Sequence, residues 1–287
     1  MVIFYRKEGK KCQSVKWLPL LIKNGGVGKT TTTVNLGNGL FRKGKRVLLI
    51  DLDPQGDLTT SLGYKNPNSL DFTIKNLMEK EIQENPISKK DGILKNGEGV
   101  SFIPANIELE ALELSMIKYM NKENILKKYI NKIREDYDYI LIDCRPALGL
   151  LTINALATAD SVIIPVQAQY LPLKDMTQLM QTIDKIRVQI NPKLKIEGIL
   201  LTMVDMKTNL AKASIESLKN NYGRRIKIYD TIIPMGIKAA ESTIEGKSVY
   251  AYDKKSKPAI AYEELTKEVL KDSERNKTRL AECRWII

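Results

Sequence analysis

The chain of 287 residues contains no histidine. That absence removes Ser-His and Cys-His nucleophilic catalysis and most zinc sites from consideration. Whatever chemistry the chain carries rests on lysine, aspartate and a metal held by oxygen. Cysteine is scarce too: Cys12, Cys144 and Cys283 are too few and too scattered for a disulfide framework or an iron–sulfur ligand set, and they fit a reducing cytosol. No apolar run approaches the roughly 20 residues of a transmembrane helix. The N-terminus carries Arg6, Lys7, Lys10 and Lys11 but lacks the apolar core of a signal peptide, so a soluble cytoplasmic protein is expected. There is no internal repeat.

Hydrophobic residues make up 43% of the sequence, enough for one sizeable core. A single domain over residues 15–272 is expected, between a loosely ordered basic extension at 1–14 and a tail at 273–287. Lys+Arg number 46 against 34 Asp+Glu, a net charge of +12. This favours an anionic partner such as nucleic acid, although plain solubility accounts for net charge equally well.

The stretch Lys23-Asn24-Gly25-Gly26-Val27-Gly28-Lys29-Thr30-Thr31 is a glycine-rich turn between an apolar run, Leu18 to Ile22, and a helix-like segment, Thr31 to Phe41. Backbone N–H groups and a helix N-terminus converge on an anion in such a turn. In the P-loop template Gly28 admits the phosphates, Lys29 reaches the β- and γ-phosphates, and the Thr30 hydroxyl binds Mg²⁺. The strict template has glycine where Lys23 stands. Val15 to Ile22 is expected as the first strand, despite Pro19 within it.

Two later strands end in acids. Arg46-Val47-Leu48-Leu49-Ile50 is a continuous apolar run of the kind buried in a parallel sheet, and it delivers Asp51-Leu52-Asp53-Pro54-Gln55-Gly56-Asp57. Alternation along a strand lets Asp51 and Asp53 face one space, which suits carboxylates near Mg²⁺ and a phosphate. Tyr137 to Asp143 repeats the pattern, its acid placed to meet Mg²⁺ directly or through water.

Elsewhere the patterning predicts a helix over 74–82, a short strand over 100–104 and an amphipathic helix over 108–133 broken near Asn121. Strands follow at 161–166, 196–204 and 228–234, with helices from Leu173 to Ile190 and from Lys207 to Asn220. The alternation indicates an α/β fold: a doubly wound, mainly parallel sheet with helices on both faces.

The loop at 23–30 resembles that of the deviant Walker A ATPases, the P-loop group containing the ParA/Soj partition ATPases, MinD and the nitrogenase iron protein. In that group a signature lysine stands directly before the double glycine and crosses an ATP-bound dimer to the partner's phosphates. Here Asn24 holds that place and the lysine lies one residue earlier, at Lys23. Either Lys23 reaches across from its shifted position, or dimer-dependent hydrolysis is weakened. Asp51 to Gly56 is similar to the group's DLDPQG motif, which implies that Asp53 positions the attacking water and Asp51 supports the metal's water shell. Cys144 to Gly149 resembles a DCPP-x-LG loop that senses the γ-phosphate, with Arg145 in place of the first proline. The segments 149–156, 200–203 and 231–234 follow the ParA/Soj pattern, and by that resemblance Met203 and Pro234 lie near the adenine. The family's Arg-Asn after Pro234 is replaced by Met235-Gly236. The resemblance covers about residues 20–272.

What the resemblance implies is a Mg²⁺·ATP-dependent DNA-partitioning ATPase of the nucleoid. It would dimerise with ATP, bind DNA nonspecifically, and be released when a ParB-like centromere-binding protein stimulates hydrolysis. DNA contacts are expected from two clusters, Arg224, Arg225 and Lys227, and Lys254, Lys255 and Lys257. A MinD-like membrane-cycling ATPase is the alternative in which the ligand is a bilayer. An ATP-binding regulator that hardly hydrolyses is a third reading, prompted by Asn24.

Overall fold

The strands of the core are aliphatic runs with no polar alternation, and they become strands buried on both faces. The computed structural model describes residues 7–8, 11–12, 26–145, 148–168 and 173–282. Two-residue strands β1 (Lys7–Glu8) and β2 (Lys11–Cys12) pair antiparallel. The expected strand over 15–22 lies outside the described residues.

In the first larger sheet, β3 (Val47–Leu52) is flanked in parallel by β5 (Ser101–Ile103) and β6 (Tyr139–Cys144), and β4 (Leu94–Lys95) closes one edge antiparallel to β5. All six residues of β3 and of β6 are buried. The second is a parallel sheet in which β8 (Lys195–Val204) lies between β7 (Ser161–Gln167) and β9 (Ile228–Pro234).

Successive residues of β3 feed opposite layers, as the period of a strand requires. Leu48, Ile50 and Leu52 join a core built with α3 (Ile74–Ile82), α4 (Glu108–Met116), α5 (Ile125–Ile133), α6 (Leu150–Thr158) and α7 (Leu173–Gln189). Val47 and Leu49 join the opposite core, with α1 (Lys29–Arg42), α2 (Asp57–Ser61), α10 (Val249–Asp253) and α11 (Lys257–Glu282). Helices on both faces of mainly parallel sheets make the expected doubly wound α/β fold.

Local chemistry sets the helix boundaries. The Thr73 side chain accepts the Lys75 N–H at 3.3 Å, while Asn76 Oδ1 accepts the Thr73 N–H at 2.8 Å, a capping box that starts α3 at Ile74. The expected helix over 108–133 is two helices, with Asn121 between them in the left-handed region at φ 54°. α8 (Asn209–Tyr222) begins at Thr208, whose hydroxyl accepts the Ala211 N–H. α9 (Ile237–Ile244) follows β9 directly. α11 buries Ala259, Tyr262, Leu265, Val269 and Ser273 at helical spacing, so it runs continuously across position 272. No helix among the described residues is long and apolar enough to cross a membrane.

Candidate active site

Every strand that reaches the site does so at its C-terminal end, where the chain turns outward and side chains of different strands can converge. Gly28 precedes α1 at φ 73°, ψ 26°, a left-handed conformation that disfavours any side chain. The N-cap, Gly28, makes no side-chain cap to α1, and a helix N-terminus of this kind offers its first-turn N–H groups to an anion. Lys29 is the first residue of α1 and is only 8% exposed. Burial lowers its pKa, opposed by the charges of Asp143, Asp53 and Asp57. It is thus a desolvated cation facing carboxylates. The turn is fixed from behind by Thr202, whose hydroxyl donates to the Val27 carbonyl at 2.9 Å.

Asp51 and Asp143 lie opposite each other on the neighbouring parallel strands β3 and β6. Both are fully buried and neither lines the cleft itself. The Thr30 hydroxyl hydrogen bonds to Asp143, whose pKa is raised by burial. Asp51 accepts the Thr59 N–H at 2.8 Å, the Thr59 hydroxyl at 2.7 Å and the Asp53 N–H at 3.2 Å. Burial first, and the Asp143 charge second, push its pKa up to about 8. In this structure Asp51 is an anchor for the turn that carries Asp53. That turn closes through the Gly56 N–H to the Asp53 carbonyl at 2.9 Å and the Gln55 N–H to Asp53 Oδ1 at 3.1 Å. Gly56, at φ 67°, then starts α2 and brings Asp57 to the cleft, its pKa raised by burial and by Asp53.

Lys29, Thr30, Asp53 and Asp57 face a cleft of about 490 Å³, within the range of small-molecule sites. Its lining combines Gly28, Lys29, Thr30, Thr31, Asp53 and Asp57 with the apolar Met203, Ile233, Pro234, Met235, Ile237 and Ala240. Met203 sits at φ 52°, an uncommon conformation for a non-glycine residue. Tyr262 of α11 lines the cleft and shares a hydrogen bond with Thr32 at 3.0 Å. The buried Cys144 thiol also faces the cleft and is held neutral by burial.

The structure therefore brings together Gly26, Gly28, Lys29, Thr30, Thr31, Asp53, Met203 and Pro234 around one space, with Val27, Asp51 and Asp143 beneath it. Lys23, Asn24 and Gly25 lie outside the described residues. Arg224 and Arg225 are exposed after α8; Lys254 and Lys255 are exposed between α10 and α11, and Lys257 is exposed as the first residue of α11. Lys227 is different: its ammonium pairs with Glu268 at 2.8 Å and with Asp272, and lies 4.2 Å from the Tyr229 ring centre.

Sequence reasoning assigned no role to Thr59, Asp57, Thr202, Tyr262 or Glu113. Asp57 was within reach of inference, being in the same acidic run as Asp53. Glu113 of α4 accepts the Leu151 N–H at 3.0 Å and pairs with Arg145 at 3.2 Å, capping α6 and tethering the chain after Asp143. Nothing in the sequence marks that pairing.

A lysine behind a left-handed glycine at the head of a helix, beside acids at parallel strand ends, defines the class as an α/β P-loop NTPase. An AAA-domain family model, AAA_31, matches residues 16–196. The sporulation initiation inhibitor protein Soj of Bacillus subtilis is 41% identical over 88% of this chain and 98% of its own. The chromosome partitioning protein ParA of Myxococcus xanthus is 38% identical over 87% of this chain and 86% of its own. Among solved structures, cobyrinic acid a,c-diamide synthase from Mycobacterium smegmatis, with a bound ATP analogue and magnesium, is 32% identical with a TM-score of 0.75 over 91% of this chain and 96% of that one. The chain belongs to the ParA/Soj group of the MinD/ParA P-loop ATPases.

Proposed function

We propose that the protein is a DNA-partitioning ATPase that binds Mg²⁺·ATP in this cleft, dimerises, holds DNA nonspecifically, and lets go when a ParB-like partner stimulates hydrolysis. The observation that carries the reading is Lys29, buried at the first position of α1 and facing Asp53, Asp57 and Asp143. Relatives named as Soj and ParA support the partitioning role.

The phosphates take the first-turn N–H groups of α1, and Lys29 balances their charge. The donor set fits a hard cation: the Thr30 hydroxyl and Asp143 carboxylate lie together, and the described residues contain no cluster of three or more ligands that would hold a metal alone. Mg²⁺ is bound by few protein oxygens plus phosphate and water, which suits that supply. When bound, it neutralises charge on the phosphates. Asp53, at the cleft surface, orients the water that attacks the γ-phosphorus, and Lys29 stabilises the charge that develops. Met203 and Pro234 contact the base.

DNA binding rests on phosphate contacts by Arg224, Arg225, Lys254, Lys255 and Lys257, which place the protein on the nucleoid. Lys227, already paired with two carboxylates, contributes little. The membrane alternative rests on the tail from Lys271 to Ile287, which carries Asp272, Glu274 and Glu282 and few apolar residues before Trp285-Ile286-Ile287, and so ranks below DNA. Lys23 and Asn24 bear on the trans contact across the dimer. The test is ATP turnover with and without DNA and the partner encoded beside the gene. Turnover that rises with both supports the reading; absence of turnover under all conditions contradicts it.

A further inference from the structure

One carboxylate of α4 grips the chain where it leaves β6 and again where it enters α6. Glu113 Oε1 accepts the Leu151 N–H at 3.0 Å in the first turn of α6, and Glu113 Oε2 accepts from the Arg145 guanidinium at 3.2 Å, directly after β6. Glu110, on the preceding turn of α4, lies 3.9 Å from the same guanidinium. The two acids stand on a fixed base, because α4 buries Leu109, Leu112 and Met116 in the core. Gly149, the N-cap of α6, is fitted to this contact: a Cβ there would lie 2.2 Å from Glu113 Oε1. Its φ of −104° is open to any residue, so the glycine serves the approach of the carboxylate and not an unusual backbone.

Arg145 follows Asp143 by two positions, and the Asp143 carboxylate meets the Thr30 hydroxyl. The guanidinium is turned to α4 and is not among the groups that line the cleft. We propose that Arg145 and Glu113 are positioning residues for ATP hydrolysis: the pair fixes the chain leaving Asp143, and with it the Asp143 carboxylate beside Thr30, without touching the nucleotide. The inference rests on the cleft being the nucleotide site proposed above. Affinity for the phosphates comes from Lys29 and the first turn of α1, which the pair does not contact. Loosening the pair therefore lowers turnover and leaves ATP affinity alone. Groups that support a metal's ligands from behind are worth about ten- to a hundredfold in activity.

The experiment compares the full-length parent with Arg145→Ala, Arg145→Lys, Glu113→Gln, and Arg145→Ala together with Glu113→Gln. Turnover is measured with Mg²⁺·ATP, DNA and the partner, and ATP affinity by calorimetry. Arg145→Ala should lower kcat about tenfold or more, with the Kd for ATP unchanged. Arg145→Lys should recover most of that loss, because the contact with Glu113 is a single one that a lysine can replace with its charge kept. Adding Glu113→Gln to Arg145→Ala should lower kcat no further, as for two groups that act as one unit. In the nucleotide-free protein, hydrogen exchange at the start of α6 should be faster in Arg145→Ala than in the parent. A parental kcat or parental exchange in Arg145→Ala, an equal loss of ATP affinity, no recovery with lysine, or additive effects of the two substitutions overturns the inference while the nucleotide site stands. A parent that shows neither ATP binding nor turnover removes the site reading, and the inference with it.

Discussion

Thr59→Val removes one hydroxyl from beneath the cleft and leaves the shape of the side chain almost unchanged. The Thr59 hydroxyl donates to Asp51 at 2.7 Å and accepts the Ala105 N–H at 3.1 Å, at a position with no exposure. In the variant the Ala105 N–H is left unpaired, which costs about 1–3 kcal/mol when buried, and Asp51 loses one of its hydrogen bonds, worth about 1 kcal/mol more. Urea unfolding should therefore show a deficit of about 2–4 kcal/mol. The deficit should also depend on pH. Asp51 has its pKa raised from 3.8 to about 8, and the Thr59 hydroxyl is one of the groups that holds it down. A raised carboxyl pKa means that the folded state keeps a proton the unfolded state gives up. Its contribution is then full below the unfolded pKa and is lost as pH rises through the folded one, at up to about 1.4 kcal/mol per pH unit. Removing the hydroxyl raises the folded pKa further. The deficit should be larger at about pH 9 than at about pH 7. A deficit under about 0.5 kcal/mol, the scale of ordinary surface changes, or one that shrinks as pH rises, would refute the anchoring role of Asp51.

Lys29→Ala should abolish ATP binding in calorimetry, since backbone N–H groups alone do not balance the phosphate charge. Glu113→Ala should lower the unfolding free energy by about 1–3 kcal/mol through loss of the α6 cap and the Arg145 pair, and Glu113→Gln, which keeps an acceptor for the Leu151 N–H, should lose less. Replacing Arg224 and Arg225 together by alanine should reduce the slope of log affinity against log salt for duplex DNA by about 2. Lys227→Ala should leave that slope unchanged, because its charge is already paired; an equal loss would show that Lys227 reaches DNA.

Much of the scaffold was legible because burial on both faces leaves a plain signature. Val47 to Ile50 and Ile140 to Ile142 have no polar alternation, and a strand so composed is stable only inside a sheet covered on both sides. The helix over 74–82 was legible from its apolar spacing, with Thr73 capping its start. Contacts between distant segments left no such signature. Tyr262 reaches Thr32 across 230 residues, and Glu113 reaches Leu151 across 38. Helical periodicity records that α11 has a buried face but not which helix it covers. Asp51 illustrates the same limit within the site. Alternation placed it on the side of Asp53, but only the fold shows that α2 brings Thr59 back over it and buries both oxygens in hydrogen bonds.

ATP turnover by Asp53→Ala, measured beside its ATP affinity, tests the central claim most directly. Asp53 lines the cleft while the Lys29 cradle is built without it. The variant should bind ATP as tightly as the parent and turn it over at least about a hundredfold more slowly, the scale of a lost positioning or general-base group. Turnover at the parental rate with ATP bound would contradict the assignment of this cleft as the place where the water is aimed at the γ-phosphate.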